Sequence, residues 1–115
     1  MDAPAISAVS LRQSLASGRP PLVIDVRKGP TFLGAPDLIR GALRRDPARV
    51  AEWGKTLPGE TDVVVYCVHG HEVSQNAAKA LCAALPRALG ARYLEGGIEA
   101  WRAEGGELFG KPKGA

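Results

Sequence analysis

Apolar positions along this chain fall into two patterns, short unbroken runs and longer stretches with helical spacing. Leu22-Val23-Ile24-Asp25-Val26 is a continuous apolar run of the kind found in strands buried on both faces. A second run, Asp62-Val63-Val64-Val65-Tyr66, stops at Cys67, and Ala91-Arg92-Tyr93-Leu94 reads as a last strand. Ala77, Ala78, Ala80, Leu81, Ala84 and Leu85 recur at helical spacing and predict a helix from Val73 through Leu85, which Pro86 ends or kinks. Ile6 opens a short first strand, and Ser10 is expected to cap a helix running to Ala16 and closed by Gly18. The stretch from Arg27 to Ile39, punctuated by Gly29-Pro30, Gly34 and Ala35-Pro36, reads mainly as loop, with a short extended piece following at Gly41-Ala42-Leu43. Asp46-Pro47 reads as the cap and first turn of a helix reaching about Lys55, and Pro58-Gly59 as a turn. Gly96-Gly97 forms a sharp turn before a final helix from Ile98 to Ala103, with Trp101 expected in the core and Trp53 partly exposed. Alternation of strand and helix implies an α/β fold with a mostly parallel sheet covered on both faces. Active groups in such sheets gather at the carboxyl ends of strands, and Cys67 ends one.

Composition narrows this picture. A chain of 115 residues, 45% hydrophobic and 23% charged, forms one domain, residues 1–115, with room for one ordinary core. Phe, Trp and Tyr occur twice each, so that core must be largely aliphatic. The Gly/Lys-rich end, about residues 106–115, is expected to be a flexible tail. No apolar stretch approaches the roughly 20 residues that span a bilayer, so no membrane role is expected. Met1-Asp2-Ala3-Pro4 lacks the basic region and apolar run of a signal peptide. With only Cys67 and Cys82 present, reduced thiols and a cytoplasmic location are expected. Cys82 reads as a small buried helix residue, with a Cys67–Cys82 disulfide as the open alternative.

The formal charge of +3 gives mild attraction for anions. Arg40, Arg44, Arg45 and Arg49 form either a solvated face or a docking patch for an acidic protein partner. No aromatic residues interleave with these arginines, so nucleic acid is not an expected partner.

The chemistry concentrates at Cys67. A cysteine between a buried strand and a helix start meets unpaired backbone N–H groups and a partial positive charge, both of which favour a thiolate. The loop Val68-His69-Gly70-His71-Glu72-Val73 is expected to turn its own N–H groups around the sulfur as an anion nest. Gly70 is expected to take a positive φ there. His69 and His71 either steer an anionic donor or are plain solvent-exposed residues. Glu72 is expected to cap the helix start, and its charge works against a doubly anionic donor. Cys67, His69 and His71 are too closely spaced on a tight loop for a good zinc site, so neither metal nor cofactor is expected. A Cys-x5-Arg phosphatase or arsenate reductase needs an arginine six residues after the cysteine to grip the oxyanion, where this chain has Val73.

Three separated motifs together resemble the single-domain rhodaneses, the sulfurtransferase domains, over nearly the whole chain. They are Leu22-Val23-Ile24-Asp25-Val26-Arg27, Val64-Val65-Tyr66-Cys67 with its loop, and Leu94-Glu95-Gly96-Gly97-Ile98-Glu99-Ala100-Trp101. Ile39-Arg40-Gly41-Ala42 looks like a variant of the family's Ile-Pro-Gly-Ala segment, and the region from Arg45 to Trp101 also resembles rhodanese-like domains of chromate-resistance proteins. The chain departs from the family pattern in three places. Leu38 stands where the family often has histidine, Thr31 stands where an acidic residue is usual, and the loop lacks arginine and lysine.

The resemblance implies a central, mostly parallel five-stranded sheet and a Cys67 nucleophile. Cys67 would take sulfane sulfur from thiosulfate or a persulfide and pass it to a thiol or cyanide. Val68 to Val73 would bind the donor, Asp25 would anchor the loop, and Arg27 would do the same or contact the anion, with purely structural hydrogen bonding by Asp25 and Arg27 as the alternative. The alternative within the family is a non-catalytic binding or regulatory module, whose members commonly lose the cysteine that this chain keeps.

Overall fold

The computed structural model describes residues 3–58, 61–84 and 90–111. Its centre is a five-stranded sheet in the order β1-β6-β5-β2-β4, in which every neighbouring pair is parallel. The strands are β1 (Ala5–Ile6), β2 (Leu22–Asp25), β4 (Leu43–Arg44), β5 (Val63–Tyr66) and β6 (Ala91–Leu94). In register, Ile24 of β2 sits between Val65 of β5 and Leu43 of β4. A separate antiparallel ribbon pairs β3 (Asp37–Ile39) with β7 (Leu108–Gly110).

Alternation along the strands sorts their side chains into two cores. Val23, Val64, Tyr66 and Leu94 point to one face and pack with Leu11 of α1 (Ala8–Leu15) and with Ile98 and Trp101 of α5 (Gly97–Ala103). Ile24, Val63 and Val65 point to the other face. They pack with Val50 and Trp53 of α3 (Val50–Trp53) and with Ala77, Ala78 and Leu81 of α4 (Glu72–Ala84). Burial on both sides explains why these strands read as unbroken apolar runs. No described helix is long and apolar enough to cross a membrane.

Several local expectations change. Helix α1 starts one turn early: Ser7 is its cap, accepting from Ser10 N at 3.1 Å, because Ala8 and Leu11 must both face the core. The Arg27–Ile39 stretch is not mainly loop. It holds α2 (Gly29–Gly34), with Pro30 in its first turn where the missing N–H costs nothing, and then β3. Strand β6 is not the last, since residues 108–110 of the expected flexible tail form β7 against β3. Asp46 caps as expected, accepting from Ala48 N at 2.9 Å, but the helix it opens is broken: a 3-10 turn Pro47–Arg49, then α3, then a 3-10 turn Gly54–Thr56. Trp53 is buried rather than partly exposed, because its Nε1 donates to Asp46 O at 2.8 Å and its ring fills the space beneath α4. Leu85, Pro86 and Gly59 lie outside the described residues.

Cys82 is exposed, not buried, and both cysteines are free. It lies ten residues along α4 from Glu72, about 15 Å of helix rise, whereas a disulfide needs Cα atoms within about 7 Å. Of the central arginines, Arg40 pairs with Glu107 and Arg49 with Glu52, while Arg44 and Arg45 donate to the carbonyls of Arg27 and Arg44.

Candidate active site

Cys67 follows the last residue of β5 and precedes α4 by a four-residue loop, Val68-His69-Gly70-His71. The loop is held from below by the start of α5. Ile98 N donates to Cys67 O at 3.0 Å and Glu99 N to Val68 O at 3.2 Å, so two amides that α5 leaves unpaired are satisfied by the cysteine loop. In a trans peptide the N–H points opposite to the C=O, so the amides of Val68 and His69 face away from α5. Among the described residues, none of the amides from Val68 to Val73 donates to another part of the chain. That leaves a run of free donors beside the sulfur, continued by the first turn of α4, which is the basis of an anion nest.

Two glycines make this contact close. Gly70 has φ +71°, as expected, and a Cβ there would lie 2.6 Å from Gly96 N and Leu94 O. At Gly97, φ +62°, a Cβ would run into the carbonyls of Cys67 and Val68. The Gly96-Gly97 turn is therefore the seat of the cysteine loop as well as the start of a helix. Gln75 closes the other side, its Nε2 donating to Gly70 O at 3.0 Å and its N to His71 O at 3.1 Å.

Cys67 is 7% exposed, and its Sγ lies 3.1 Å from the hydroxyl oxygen of fully buried Ser74. It opens on a cavity of about 250 Å³ lined by Val68, His69, His71, Glu72 and Val73 of the loop and by Arg27, Lys28 and Thr31. The structure thus gathers every expected loop residue except Gly70, which packs beneath, on the Gly96-Gly97 turn. The His69 and His71 rings stand 5.9 Å apart, and Glu72 is the first residue of α4. Among the described residues, no three His, Cys, Asp or Glu side chains are grouped to hold a metal ion.

Arg27 reaches the cavity wall but is largely committed elsewhere. Its Nε lies 3.1 and 3.0 Å from the two carboxylate oxygens of Asp25, and one terminal nitrogen donates to Asp25 Oδ2 at 2.7 Å and Asp37 O at 2.8 Å. Asp25 also accepts from Arg27 N at 2.9 Å and from Tyr66 OH at 2.9 Å, while the Tyr66 oxygen accepts from Ile39 N at 3.1 Å. Asp25 is thus the ion-pair partner of Arg27, and both side chains are buried. Burial works against the Arg27 charge, but hydrogen bonding and attraction from Asp25 outweigh it and hold the guanidinium above the ordinary arginine value. Burial, aided by the Asp25 charge, pushes the Tyr66 phenol well above its usual range, so it stays a hydrogen-bond donor. This network ties the ends of β2, β5 and β3 together one residue before Cys67.

Three residues of the site escaped the sequence reading. Ser74 sits one turn into α4, and a hydroxyl in the first turn of a helix behind a cysteine loop is a recoverable signal. Lys28 comes from the junction of β2 and α2 and Thr31 from α2 itself, within a stretch that reads as loop. Lys28 brings to the cavity a cation that the cysteine loop lacks.

Residues 7–104 match the rhodanese-like domain family. Among solved structures, the Alr3790 protein from Anabaena sp. is 29% identical, with 92% of this chain and 82% of that chain covered and a TM-score of 0.77. A rhodanese-related protein from Thermoplasma volcanium is 24% identical, covering 92% of this chain and 97% of its own, at a TM-score of 0.75. A rhodanese-like domain protein from Staphylococcus aureus is 23% identical, covering 95% and 99%, at 0.76. The last two likenesses speak to the fold alone. No curated protein matches the chain.

Proposed function

The chain belongs to the rhodanese-like domain family, and from that premise we propose that it is a sulfurtransferase in which Cys67 carries the sulfur between donor and acceptor. The observation that carries this reading is the setting of one thiol. Cys67 Sγ faces a small cavity beside free loop amides, with a buried hydroxyl 3.1 Å away.

The Cys67 thiolate attacks the outer sulfur of the donor. With thiosulfate, the Sγ–S bond forms as the donor's S–S bond breaks, and sulfite leaves with the bonding pair. With a persulfide the leaving group is the donor's thiolate, which takes up a proton. The Cys67 persulfide is then attacked at its outer sulfur by an acceptor. Cyanide yields thiocyanate, a thiol yields a new persulfide, and each returns Cys67 to its thiolate or thiol form. This is the two-step pattern of covalent catalysis.

The chain's own groups have distinct tasks in that cycle. Ser74 holds the sulfur in place and donates to it when it is anionic. The amides of Val68 to Val73 receive the terminal sulfur anion, and Lys28 attracts an anionic donor, with Glu72 opposing it. Asp25 and Arg27 act as positioning residues, fixing the strand ends from which Cys67 projects. A partner thiol or a small anion suits this cavity; an acidic protein partner at Arg44 and Arg45 is a separate part of the proposal. The test is thiocyanate production from cyanide with thiosulfate or glutathione persulfide as donor. Wild type should turn over with at least one donor, and Cys67→Ser with neither. Equal turnover in Cys67→Ser would sink the mechanism.

A further inference from the structure

The cavity at Cys67 does not end at its own wall. Lys28, Glu72 and Val73 also line a second, larger cavity of about 630 Å³, which runs on along α4 to Ala80 and is bounded across from that helix by Pro47 and Ala51. The cysteine cavity, about 250 Å³, is too small for more than a reacting group, whereas the neighbour falls in the roughly 300–1,000 Å³ range of sites for small organic ligands. Resting on the sulfur-transfer reading above, we propose that this groove binds the body of a zwitterionic peptide thiol the size of glutathione. Its sulfur then reaches Cys67 past Val73.

Charge and shape favour this occupant over a bare dianion. The groove carries one cation, Lys28, and two carboxylates, Asp46 and Glu72. Asp46 is already engaged as the cap of the 3-10 turn at Pro47, which leaves Lys28 and Glu72 as the opposite charges at the junction with the cysteine cavity. A molecule bearing both carboxylate and ammonium groups satisfies both. A dianion such as thiosulfate gains from Lys28 but is repelled by Glu72 and leaves the groove empty. The floor of the groove is aliphatic, with buried Val50 and Ala77 beside Val73 suited to a peptide's methylene segments. Loading proceeds without any additional reactant. Cys67 thiolate bonds to the outer sulfur of the peptide persulfide, and the peptide thiolate departs into the groove and is protonated.

Ala51 and Ala80 are exposed on opposite walls, so a tryptophan at either fills the groove without entering the core. The initial rate of Cys67 loading is measured with glutathione persulfide and with thiosulfate for wild type, Ala80→Trp and Ala51→Trp. S-methylglutathione, which cannot react, is added as an inhibitor. The ratio of the glutathione persulfide rate to the thiosulfate rate should fall at least tenfold in both variants, and S-methylglutathione should compete with glutathione persulfide in wild type. An unchanged ratio in both variants, or no competition, overturns the groove assignment while leaving sulfur transfer intact. Failure of every donor to load wild type overturns the transferase reading itself.

Discussion

Replacing Gly97 with alanine tests how the site is built, and Gly41 supplies its control. Both glycines have positive φ, +62° and +83°, so a side chain at either pays the left-handed penalty of about 1–2 kcal/mol, partly offset by about 0.4–1 kcal/mol from a stiffer unfolded chain. They differ in surroundings. A Cβ at Gly41 meets open space, whereas one at Gly97 lies 2.5 Å from Cys67 O and closer still to Val68 O. Ordinary contact begins at 3.4 Å, so the first of these is short by 3.4 − 2.5 = 0.9 Å. The cysteine loop must move, and its two carbonyls are those that accept from Ile98 N and Glu99 N. At about 0.5–1.5 kcal/mol per hydrogen bond, Gly97→Ala should lose about 1–3 kcal/mol more than Gly41→Ala. In urea, with a slope of about 1–3 kcal/mol per molar, the extra loss lowers the midpoint by about 1 M. Sulfur loading of Cys67 should slow in Gly97→Ala and stay at the wild-type rate in Gly41→Ala. Equal destabilisation of the two variants, with equal loading, would refute the idea that the Gly96-Gly97 turn seats the loop.

Other perturbations probe the remaining contacts. Tyr66→Phe removes the donor to Asp25 and orphans Ile39 N, so urea unfolding should show a loss of about 2–4 kcal/mol; a loss below about 0.5 kcal/mol contradicts the network. Ser74→Ala should slow loading about tenfold, equivalent to about 1.4 kcal/mol in the barrier, and a wild-type rate in a rapid-quench experiment rules the hydroxyl out. Asp37 accepts from Arg102 at 2.7 and 3.0 Å, and this hydrogen bonding holds its carboxyl below the ordinary value. A carboxyl lowered by folding stabilises the protein above its unfolded value, about 3.9, and loses that contribution as pH falls through the folded one. Because Arg102 is partly exposed, Asp37→Asn should cost about 0.5–1 kcal/mol at neutral pH, and the gap in Tm should close in acid; a gap that persists at about pH 2.5 contradicts the assignment.

The sheet was legible because its strands are buried on both faces, so Leu22–Asp25 and Val63–Tyr66 carry a strong apolar signal. Strands β3 and β7 were not, since Asp37–Ile39 owes its extended form to Leu108–Gly110, far along the chain, and neither segment is periodic alone. Helix α2 was hidden by its own glycines and proline, which read as loop until Pro30 is placed in a first turn. Cys67 was legible from its position between strand and helix, as was the positive φ at Gly70. The Asp25–Arg27–Tyr66 network was not, because the meeting of Asp25 with Tyr66 across β2 and β5 is decided by register, and Lys28 was hidden in a stretch that reads as loop. Trp53 and Cys82 show the limit of residue type as a guide: Asp46 O draws the indole inward, and Cys82, its Sγ 3.4 Å from Ala91 O, stays exposed at the edge of α4.

The central claim is that sulfur rides on Cys67, and intact-mass measurement after a single incubation tests it most directly. Wild type treated with thiosulfate, or separately with glutathione persulfide, should gain the mass of one sulfur atom and lose it on addition of cyanide or excess thiol. Cys67→Ser should gain nothing under the same conditions. No gain in wild type from either donor, with Cys67 shown to be free and alkylatable, would contradict the account and leave the domain as a binding module.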